Sequence, residues 1–237
     1  MNCPKDDSAD CCGVCHYNPV VVIATHERLE ITTRNINSLK FQFPQPKIVV
    51  VCSNDQEREY YKKLDVTVVI EGNVPLGRKW QAGVHEAHKM DADPLIILGS
   101  DDILINGFIK MALQKINEGF DFVGATHWIT YDNKNIFHCQ YQNNNKDFPI
   151  GSGKVYSKKI LEKIGYKVFD VTGNRKLDDL GHSMMKKNSA NIYLFREPVV
   201  LAVKGNWKCM NTARDYTRSP NISAIRASEE VLKKFNY

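Results

Sequence analysis

The sequence predicts an α/β fold with a mostly parallel central sheet flanked by helices and an antiparallel second half. Four apolar runs in the first half lack polar alternation, which is typical of strands buried on both faces. Each run is followed by a segment with helical character, and repeated strand–helix units predict parallel strands joined by right-handed crossovers. The predicted strands of the second half have alternating or aromatic content, so we expect antiparallel pairing there instead of the parallel pairing of the first half.

The first half, residues 19–120, divides into four strand–helix units. Helical spacing in the first helix is shown by Leu29, Thr32, Ile36 and Leu39. We expect Thr25 to cap this helix and Gly119 to end the fourth. The predicted strands cover 19–24, 47–52, 66–70 and 94–98, and the predicted helices cover 29–39, 57–64, 77–90 and 106–118.

The second half, residues 121–237, mixes strands, helices and polar loops. We expect strands at 121–130, 136–141 and 191–203. We expect helices at 157–164, ended by Gly165, at 178–187 and at 229–235. Residues 204–220 are polar and are expected to form a loop over the site.

Residues 1–18 form a cysteine-rich leader ahead of a single domain at 19–237. The leader contains Cys3, Cys11, Cys12 and Cys15. Cys12-Gly-Val-Cys15-His16 matches the c-type haem attachment pattern, and a zinc site on these residues is an alternative. The segment lacks a second well-spaced pair and is short for a haem, so a leader lying on the domain is the favoured interpretation.

The composition of the 237 residues is that of an ordinary globular protein, with 43% hydrophobic and 25% charged residues. The net charge of +5 is scattered, which argues against a nucleic-acid surface. No apolar run reaches membrane-spanning length, and the polar, acidic start is unlike a signal peptide, so we expect a cytoplasmic location. Three isolated cysteines, Cys52, Cys139 and Cys209, are expected to be reduced thiols.

Two carboxylate pairs carry the candidate chemistry. Asp101-Asp102 ends the apolar run 94–98, where open α/β sheets bind ligands, and two carboxylates there suit Mg²⁺ or Mn²⁺. Asp178-Asp179 could supply a base for an attacking hydroxyl. The alternative is that each pair begins a helix, since carboxylates favour the first turn. His182, one helical turn after Asp179, could join the metal or simply lie on the helix face.

Positive and polar residues follow the other predicted strands. Arg28, Arg78 and Lys79 could neutralise a diphosphate, although each could equally be solvated surface charge. Gly77, ahead of a helix, could let backbone amides approach phosphate, and His26 could contact a base. Neither a P-loop nor a G-x-G-x-x-G motif is present.

Six segments in this order resemble the inverting family-two glycosyltransferases with the GT-A fold. Ala24-Thr-His-Glu-Arg28 is similar to their opening loop, and Leu98-Gly-Ser-Asp101-Asp102 resembles their metal-binding aspartate motif. The other four segments are 53–55, 73–83, 149–153 and 177–179. The chain departs from the family at Gly99, which replaces the first acid of Asp-x-Asp, and at 52–54, where an acidic base-reading residue is missing.

The resemblance implies a GT-A-like, Rossmann-like sheet and transfer of a sugar from a nucleoside diphosphate donor to a glycan, lipid or protein hydroxyl, with inversion. It implies Mn²⁺ or Mg²⁺ on Asp101 and Asp102, with His182 nearby, and Asp179 as the base beside Asp178. The acceptor side would comprise Gly151, Ser152, Gly153 and Trp207. The nucleotide would be bound by Thr25, His26, Arg28, Ser53, Asn54, Gly77, Arg78, Lys79, Ser100 and Asp101.

Two other functions remain open from the sequence. A sugar-phosphate nucleotidyltransferase is also α/β with an aspartate-bound metal, but it needs a glycine-rich loop after the first strand, and 24–28 contains no glycine. A non-catalytic carbohydrate-binding protein on the same fold is suggested by the missing acid at Gly99.

Overall fold

The computed structural model describes residues 13–14, 16–142, 147–175, 177–205 and 212–237. The strands are β1 (Val20–Ala24), β2 (Lys47–Cys52), β3 (Thr67–Ile70), β4 (Leu95–Ile97), β5 (Asp102–Leu104), β6 (Phe122–Ala125), β7 (His127–Tyr131), β8 (Ile136–Tyr141), β9 (Lys154–Tyr156), β10 (Ile192–Phe195), β11 (Val200–Val203) and β12 (Ile222–Arg226). The α-helices are α1 (Leu29–Leu39), α2 (Asp55–Tyr61), α3 (Leu76–Lys89), α4 (Phe108–Asn117), α5 (Lys158–Lys163), α6 (Leu177–Lys187) and α7 (Ala213–Arg218).

A seven-stranded sheet in the order β10-β6-β9-β4-β1-β2-β3 forms the centre of the fold. Strands β4, β1, β2 and β3 are parallel to their neighbours within this group, and β6 is parallel to β10. Strand β9 runs antiparallel between β4 and β6. The mostly parallel sheet predicted for the first half is therefore confirmed. The first three strand–helix units are present as predicted, whereas in the fourth β5 lies between β4 and α4.

Strands β1, β2 and β4 are buried on both faces of the central sheet, which explains their apolar runs without alternation. Val21 and Ile23 of β1 face a cluster with Ile36 of α1 on one side. Val20 and Val22 face a second cluster with Val84 of α3 on the other side. Each such side chain contributes about 1.5–3 kcal/mol through burial, so both layers of helices are needed to hold the strands.

A second sheet of five strands, in the order β12-β8-β7-β11-β5, adjoins the first. It is antiparallel except for the β7–β11 pair, which agrees with the predicted change in the second half. Asp102 begins β5 of this sheet, and α4 begins only at Phe108. The interpretation of Asp101-Asp102 as a helix start is therefore wrong.

Other sequence predictions need correction at their boundaries. Residues 121–130 and 191–203 each contain two strands that belong to different sheets, β6 with β7 and β10 with β11. Residues 213–218, expected in a loop, form α7, which Thr212 caps through a capping box with Asp215. Strand β12 was not predicted, and 229–235 is a 3₁₀ helix. Thr25 does not cap α1; its hydroxyl hydrogen-bonds to that of Thr32 at 2.9 Å.

The two described cysteines predicted to be reduced, Cys52 and Cys139, are buried free thiols. Cys209 and the leader cysteines lie outside the described residues. Within the described ranges, no helix has both the length and the apolar character required to cross a bilayer.

Candidate active site

A turn joins the two sheets at the centre of the site. Strand β4 ends at Ile97 and β5 begins at Asp102, and the Asp102 amide donates to the Gly99 carbonyl at 3.2 Å. Asn35 of α1 also donates its side-chain amide to that carbonyl at 2.9 Å. Because the turn is anchored by strands on both sides, the two aspartates occupy defined positions at the carboxyl edge of the parallel sheet.

Asp101 has a cation beside each carboxylate oxygen. Lys204 Nζ lies 2.7 Å from Oδ2, and Arg28 Nη1 lies 3.5 Å from Oδ1 and 3.2 Å from the Ser100 hydroxyl. Burial alone would raise the pKa of Asp101, but Lys204 and Arg28 hold it below its ordinary value. Burial would likewise lower the pKa of Lys204, but Asp102 and Asp101 raise it well above that of an exposed lysine.

Asp102 is buried, and its carboxylate lies directly against Gly99. A Cβ at position 99 would come within 3.0 Å of Asp102 Cγ and closer still to Oδ2. The carboxylate is also hydrogen-bonded by the hydroxyl of Ser152, which in turn accepts the Gly99 amide at 2.9 Å. Burial, and then repulsion from Asp101, raise the pKa of Asp102 to about 6. The glycine in the family's acidic position is thus the residue that makes room for Asp102.

These residues do not fit a preformed divalent-cation site. Both Asp101 oxygens are already beside cations, and a metal at about 2.1 Å from Oδ2 would be close to the Lys204 ammonium. Within the described ranges, no group of three or more His, Cys, Asp or Glu side chains is suited to a metal ion. His182 therefore does not form such a group with Asp101 and Asp102, one of the two roles considered for it.

His182 instead packs inside the protein. Its ring lies 4.5 Å from that of Phe148, centroid to centroid, and the side chain is 2% exposed. Neither ring nitrogen has a hydrogen-bond partner within the described ranges. Burial lowers its pKa, and Lys186 and Lys154 add to that effect, so the neutral imidazole is favoured.

The turn at 151–153 connects the aspartate turn to the second acidic pair. Ser152 contacts Gly99 and Asp102, while a Cβ at Gly151 would lie 2.5 Å from Asp178 Oδ2. Asp178 lies in the first turn of α6 and accepts a hydrogen bond of 2.9 Å from Lys154, a β9 lysine that is 2% exposed. The predicted acceptor-side turn and the first residue of the second pair are therefore in direct contact.

Asp179 and Gly153 are the remaining described residues of the predicted acceptor side. Asp179 is exposed in the first turn of α6, and its carboxylate has no hydrogen bond or ion pair within the described ranges. Gly153 adopts a positive φ of +71°, a conformation that favours glycine, and its amide donates to the Ile97 carbonyl at 2.9 Å. Trp207 lies outside the described residues.

The loops after β1 and β2 meet through His26, Ser53 and Lys79. His26 Nδ1 is 2.9 Å from the Ser53 hydroxyl, and the imidazole remains 41% exposed. Lys79 is fully buried and donates to the Ser53 hydroxyl at 2.6 Å, to Asn73 Oδ1 at 3.2 Å and to the Thr25 carbonyl. Burial lowers its pKa to about 8, partly offset by Glu57. Lys79 thus holds the loops together, whereas the sequence suggested a diphosphate ligand.

Three further predicted nucleotide ligands have protein partners. Gly77 donates its amide to the Gly173 carbonyl at 2.8 Å, so that amide is not directed at a phosphate. Asn54 caps α2 by accepting the Glu57 amide at 2.9 Å. Arg78 is half exposed and pairs with Glu71 at 3.0 Å. Of the predicted nucleotide ligands, His26, Ser53, Arg28 and Ser100 remain candidates at this edge of the sheet.

Lys204 and Lys154 are paired with the predicted aspartates but were not selected from the sequence. Lys204 directly follows the apolar run 199–203, so the rule that selected Arg28 after the first strand would have selected it too. Lys154 has no local signal, because its partner Asp178 is 24 residues away in the sequence.

Comparison with known proteins supports the architecture. No protein-family model matches the chain, and no curated protein sequence matches it. The fold is similar to that of S. aureus TarS, a GT-A-like glycosyltransferase, with a TM-score of 0.60 and 17% identity over 78% of this chain. A structure of TarS 1–349 in complex with UDP gives 0.59 at the same identity. A CMP:2-keto-3-deoxy-manno-octonic acid synthetase complexed with CTP gives 0.52 at 12% identity, over 78% of this chain and 91% of its own.

At this level of identity the likeness shows the fold, which is GT-A-like. This chain spans 36% of the longer TarS chain and 60% of TarS 1–349.

Proposed function

We propose that this chain is an inverting glycosyltransferase, of the hexosyltransferase type, that uses a nucleoside diphosphate sugar. The observation that carries the proposal is the turn at 151–153, which touches both acidic clusters. Ser152 contacts Asp102, and the adjacent Gly151 contacts Asp178. Neighbouring Cα atoms are about 3.8 Å apart, so one bound sugar could reach both clusters.

On the donor side, Arg28 and Lys204 would offset the charge that develops on the leaving diphosphate. Both are held beside Asp101 at the edge of the sheet. The exposed ring of His26, hydrogen-bonded to Ser53, would contact the nucleoside. No step runs through a divalent cation, because the carboxylate expected to hold one is already paired with these cations.

On the acceptor side, Asp179 would accept the proton of the attacking hydroxyl. The acceptor oxygen would bond to the anomeric carbon as the bond to the diphosphate breaks, which inverts the configuration. Asp178, paired with Lys154, would help to shape the sugar pocket beside Gly151. The acceptor would be a glycan, lipid or protein hydroxyl.

The comparisons support a nucleotide ligand without choosing the reaction. TarS 1–349 is known in complex with UDP, and the fold-related synthetase is known with CTP. Nucleotidyl transfer from a nucleoside triphosphate to a sugar phosphate is therefore the second candidate. Its drawback is the absence of glycine from 24–28, where that chemistry needs a glycine-rich loop.

A ligand screen followed by a turnover assay tests these alternatives. Nucleoside diphosphates and nucleotide sugars should raise the apparent melting temperature of the full chain, because they bind only the native state. Glycosyl transfer or slow donor hydrolysis would release a nucleoside diphosphate, whereas nucleotidyl transfer would release pyrophosphate from a triphosphate. Pyrophosphate as the sole product contradicts the proposal, and binding without either product indicates a non-catalytic protein.

Substitution of the second acidic pair tests the assignment of the base. We expect D179N to reduce turnover by roughly 10²-fold or more while leaving nucleotide binding intact. D178N should have a smaller effect on turnover and should also weaken sugar binding. D91N, at an exposed aspartate paired with Lys158, serves as the control and should match the wild type. Undiminished activity of D179N would exclude it as the base.

A further inference from the structure

The ammonium of Lys204 lies beside the Asp101 oxygen that a divalent cation would need. Its Nζ is 2.7 Å from Asp101 Oδ2, and both side chains are only 9% exposed. The Arg28 guanidinium lies beside the other oxygen at 3.5 Å. The carboxylate is thus flanked by two protein cations at the edge of the sheet that the proposed donor would occupy.

The position of Lys204 is set by the strand pairing of the second sheet. Strand β11 pairs antiparallel with β5, with Ala202 opposite Asp102. The Val203 amide donates to the Asp101 carbonyl at 2.8 Å, and the Lys204 amide donates to the Tyr131 carbonyl at 2.6 Å. Backbone hydrogen bonds on both sides therefore fix Lys204 next to the aspartate turn, unlike a flexible surface lysine.

The charges in this cluster equal those of a metal-loaded aspartate pair. Two carboxylates with one divalent cation have no net charge, and neither do Asp101 and Asp102 with Arg28 and Lys204. An ammonium has three donors, and the described residues use one of those of Lys204, on Asp101. The remaining donors could hydrogen-bond to phosphate oxygens, which a metal would otherwise coordinate.

We propose that Lys204, assisted by Arg28, replaces the divalent cation in binding the donor diphosphate, so that nucleotide binding is independent of metal. This inference rests on the proposed function. It explains why the Asp101 carboxylate is paired with cations and why no acid is needed at Gly99. In this arrangement Asp101 orients the ammonium instead of coordinating a metal.

Calorimetric titration of the full chain with UDP, CDP, GDP and ADP tests the inference. Each titration is run once with EDTA and once with excess Mn²⁺. We expect the Kd of the preferred nucleotide in EDTA to lie within about threefold of its value in Mn²⁺. An improvement of about tenfold or more with Mn²⁺ overturns the inference and leaves the proposed function standing. Absence of binding in both buffers overturns both.

Nucleotide titrations of Lys204 variants provide a second test of the inference. In EDTA, K204M should weaken nucleotide binding by about tenfold or more, and K204R should retain most of the affinity because it keeps the charge. K62M, at an exposed lysine paired with Glu59, should match the wild type. Circular dichroism establishes that each variant is folded. Unchanged affinity of folded K204M in EDTA would overturn the role of the ammonium, and the wild-type titrations decide metal independence without any variant.

Discussion

Replacement of Gly99 by alanine should destabilise the protein because of one buried carboxylate. The new Cβ would lie within 3.0 Å of Asp102 Cγ and closer to Oδ2, so the aspartate would have to move. Asp102 is buried, and its movement would break the hydrogen bond from the Ser152 hydroxyl. The substitution therefore tests whether position 99 merely lacks a metal-binding acid or whether its glycine provides space that Asp102 requires.

The expected cost follows from two contributions. Overpacking of a well-packed site costs about 1–3 kcal/mol, and an unsatisfied buried polar group costs about 1–3 kcal/mol. Reduced entropy of the unfolded chain offsets about 0.4–1 kcal/mol of this for a Gly-to-Ala change. We therefore expect the free energy of unfolding of G99A to fall by about 2–4 kcal/mol. G99D should fall further, because it adds a negative charge beside Asp102.

Urea denaturation of G99A, D102A and the double variant isolates the contact. In the D102A background the oxygen that the new Cβ meets is gone, and the next neighbour, Ser152 Oγ, is at an ordinary 3.6 Å. The cost of G99A should then shrink to about 1 kcal/mol or less. The control is G72A, where the nearest atom to a new Cβ is 3.5 Å away.

Two results would refute this reasoning. One is a G99A cost within about 0.5 kcal/mol of that of G72A, the range of a neutral surface change. The other is an equal cost of G99A with and without Asp102. A gain of Mn²⁺ affinity in G99D would further contradict the view that this position serves packing.

Three other predictions concern stability. G83A should destabilise the protein by about 1–3 kcal/mol, because its Cβ would lie 2.8 Å from a Val51 methyl and closer to Val22. The control is G181A, also within a helix, whose Cβ meets nothing closer than 3.7 Å and which should therefore stabilise the protein. Thermal denaturation compares the two variants. K79M should lose about 1–3 kcal/mol by leaving buried acceptors unpaired, and K89M, at an exposed lysine of the same helix, should lose almost nothing. Because the pKa of Asp102 rises from 3.8 to about 6 on folding, its contribution to stability is complete below pH 3.8 and is lost as the pH passes 6. The stability of the wild type relative to D102N should therefore fall between pH 4 and 6 in urea titrations, and a flat difference would contradict the raised pKa.

The parallel sheet was predictable because its signals are local. Strands β1, β2 and β4 are apolar runs buried on both faces, and β1, β2 and β3 are each followed directly by a helix. Because both faces of such a strand are buried, nearly all of its side chains must be apolar, and the run is visible in the sequence. The same locality explains why Ser157 and Gly165 correctly marked the ends of α5.

The second sheet was harder to predict because its pairing is between distant segments. Strand β5 has only three residues, and its partner β11 begins 96 positions after Leu104, at Val200. Nothing near Asp102 distinguishes the start of a short strand from the start of a helix. The Lys204–Asp101 pair, separated by 103 positions, depends on that same pairing.

For part of the candidate site, the sequence indicated the place in the fold but not the contacts of the side chain. Lys79 follows a predicted strand, as a phosphate ligand would, yet its ammonium points into the loop junction. Three acceptors from three loops converge there, and only the folded arrangement of those loops shows it. A sequence pattern locates such a residue along the chain, whereas its orientation depends on contacts made elsewhere.

The aspartate turn also makes the length of the chain critical. Only residues 98–101 separate the end of β4, in the seven-stranded sheet, from the start of β5, in the five-stranded sheet. Because side chains alternate along a strand, one inserted residue in this linker would exchange the positions of Asp102 and Ile103 relative to β11 unless the whole register shifted. A substitution in this turn acts at one position, but a change in its length would reach both sheets at once. The number of residues in this linker is thus as constrained as their chemical identity.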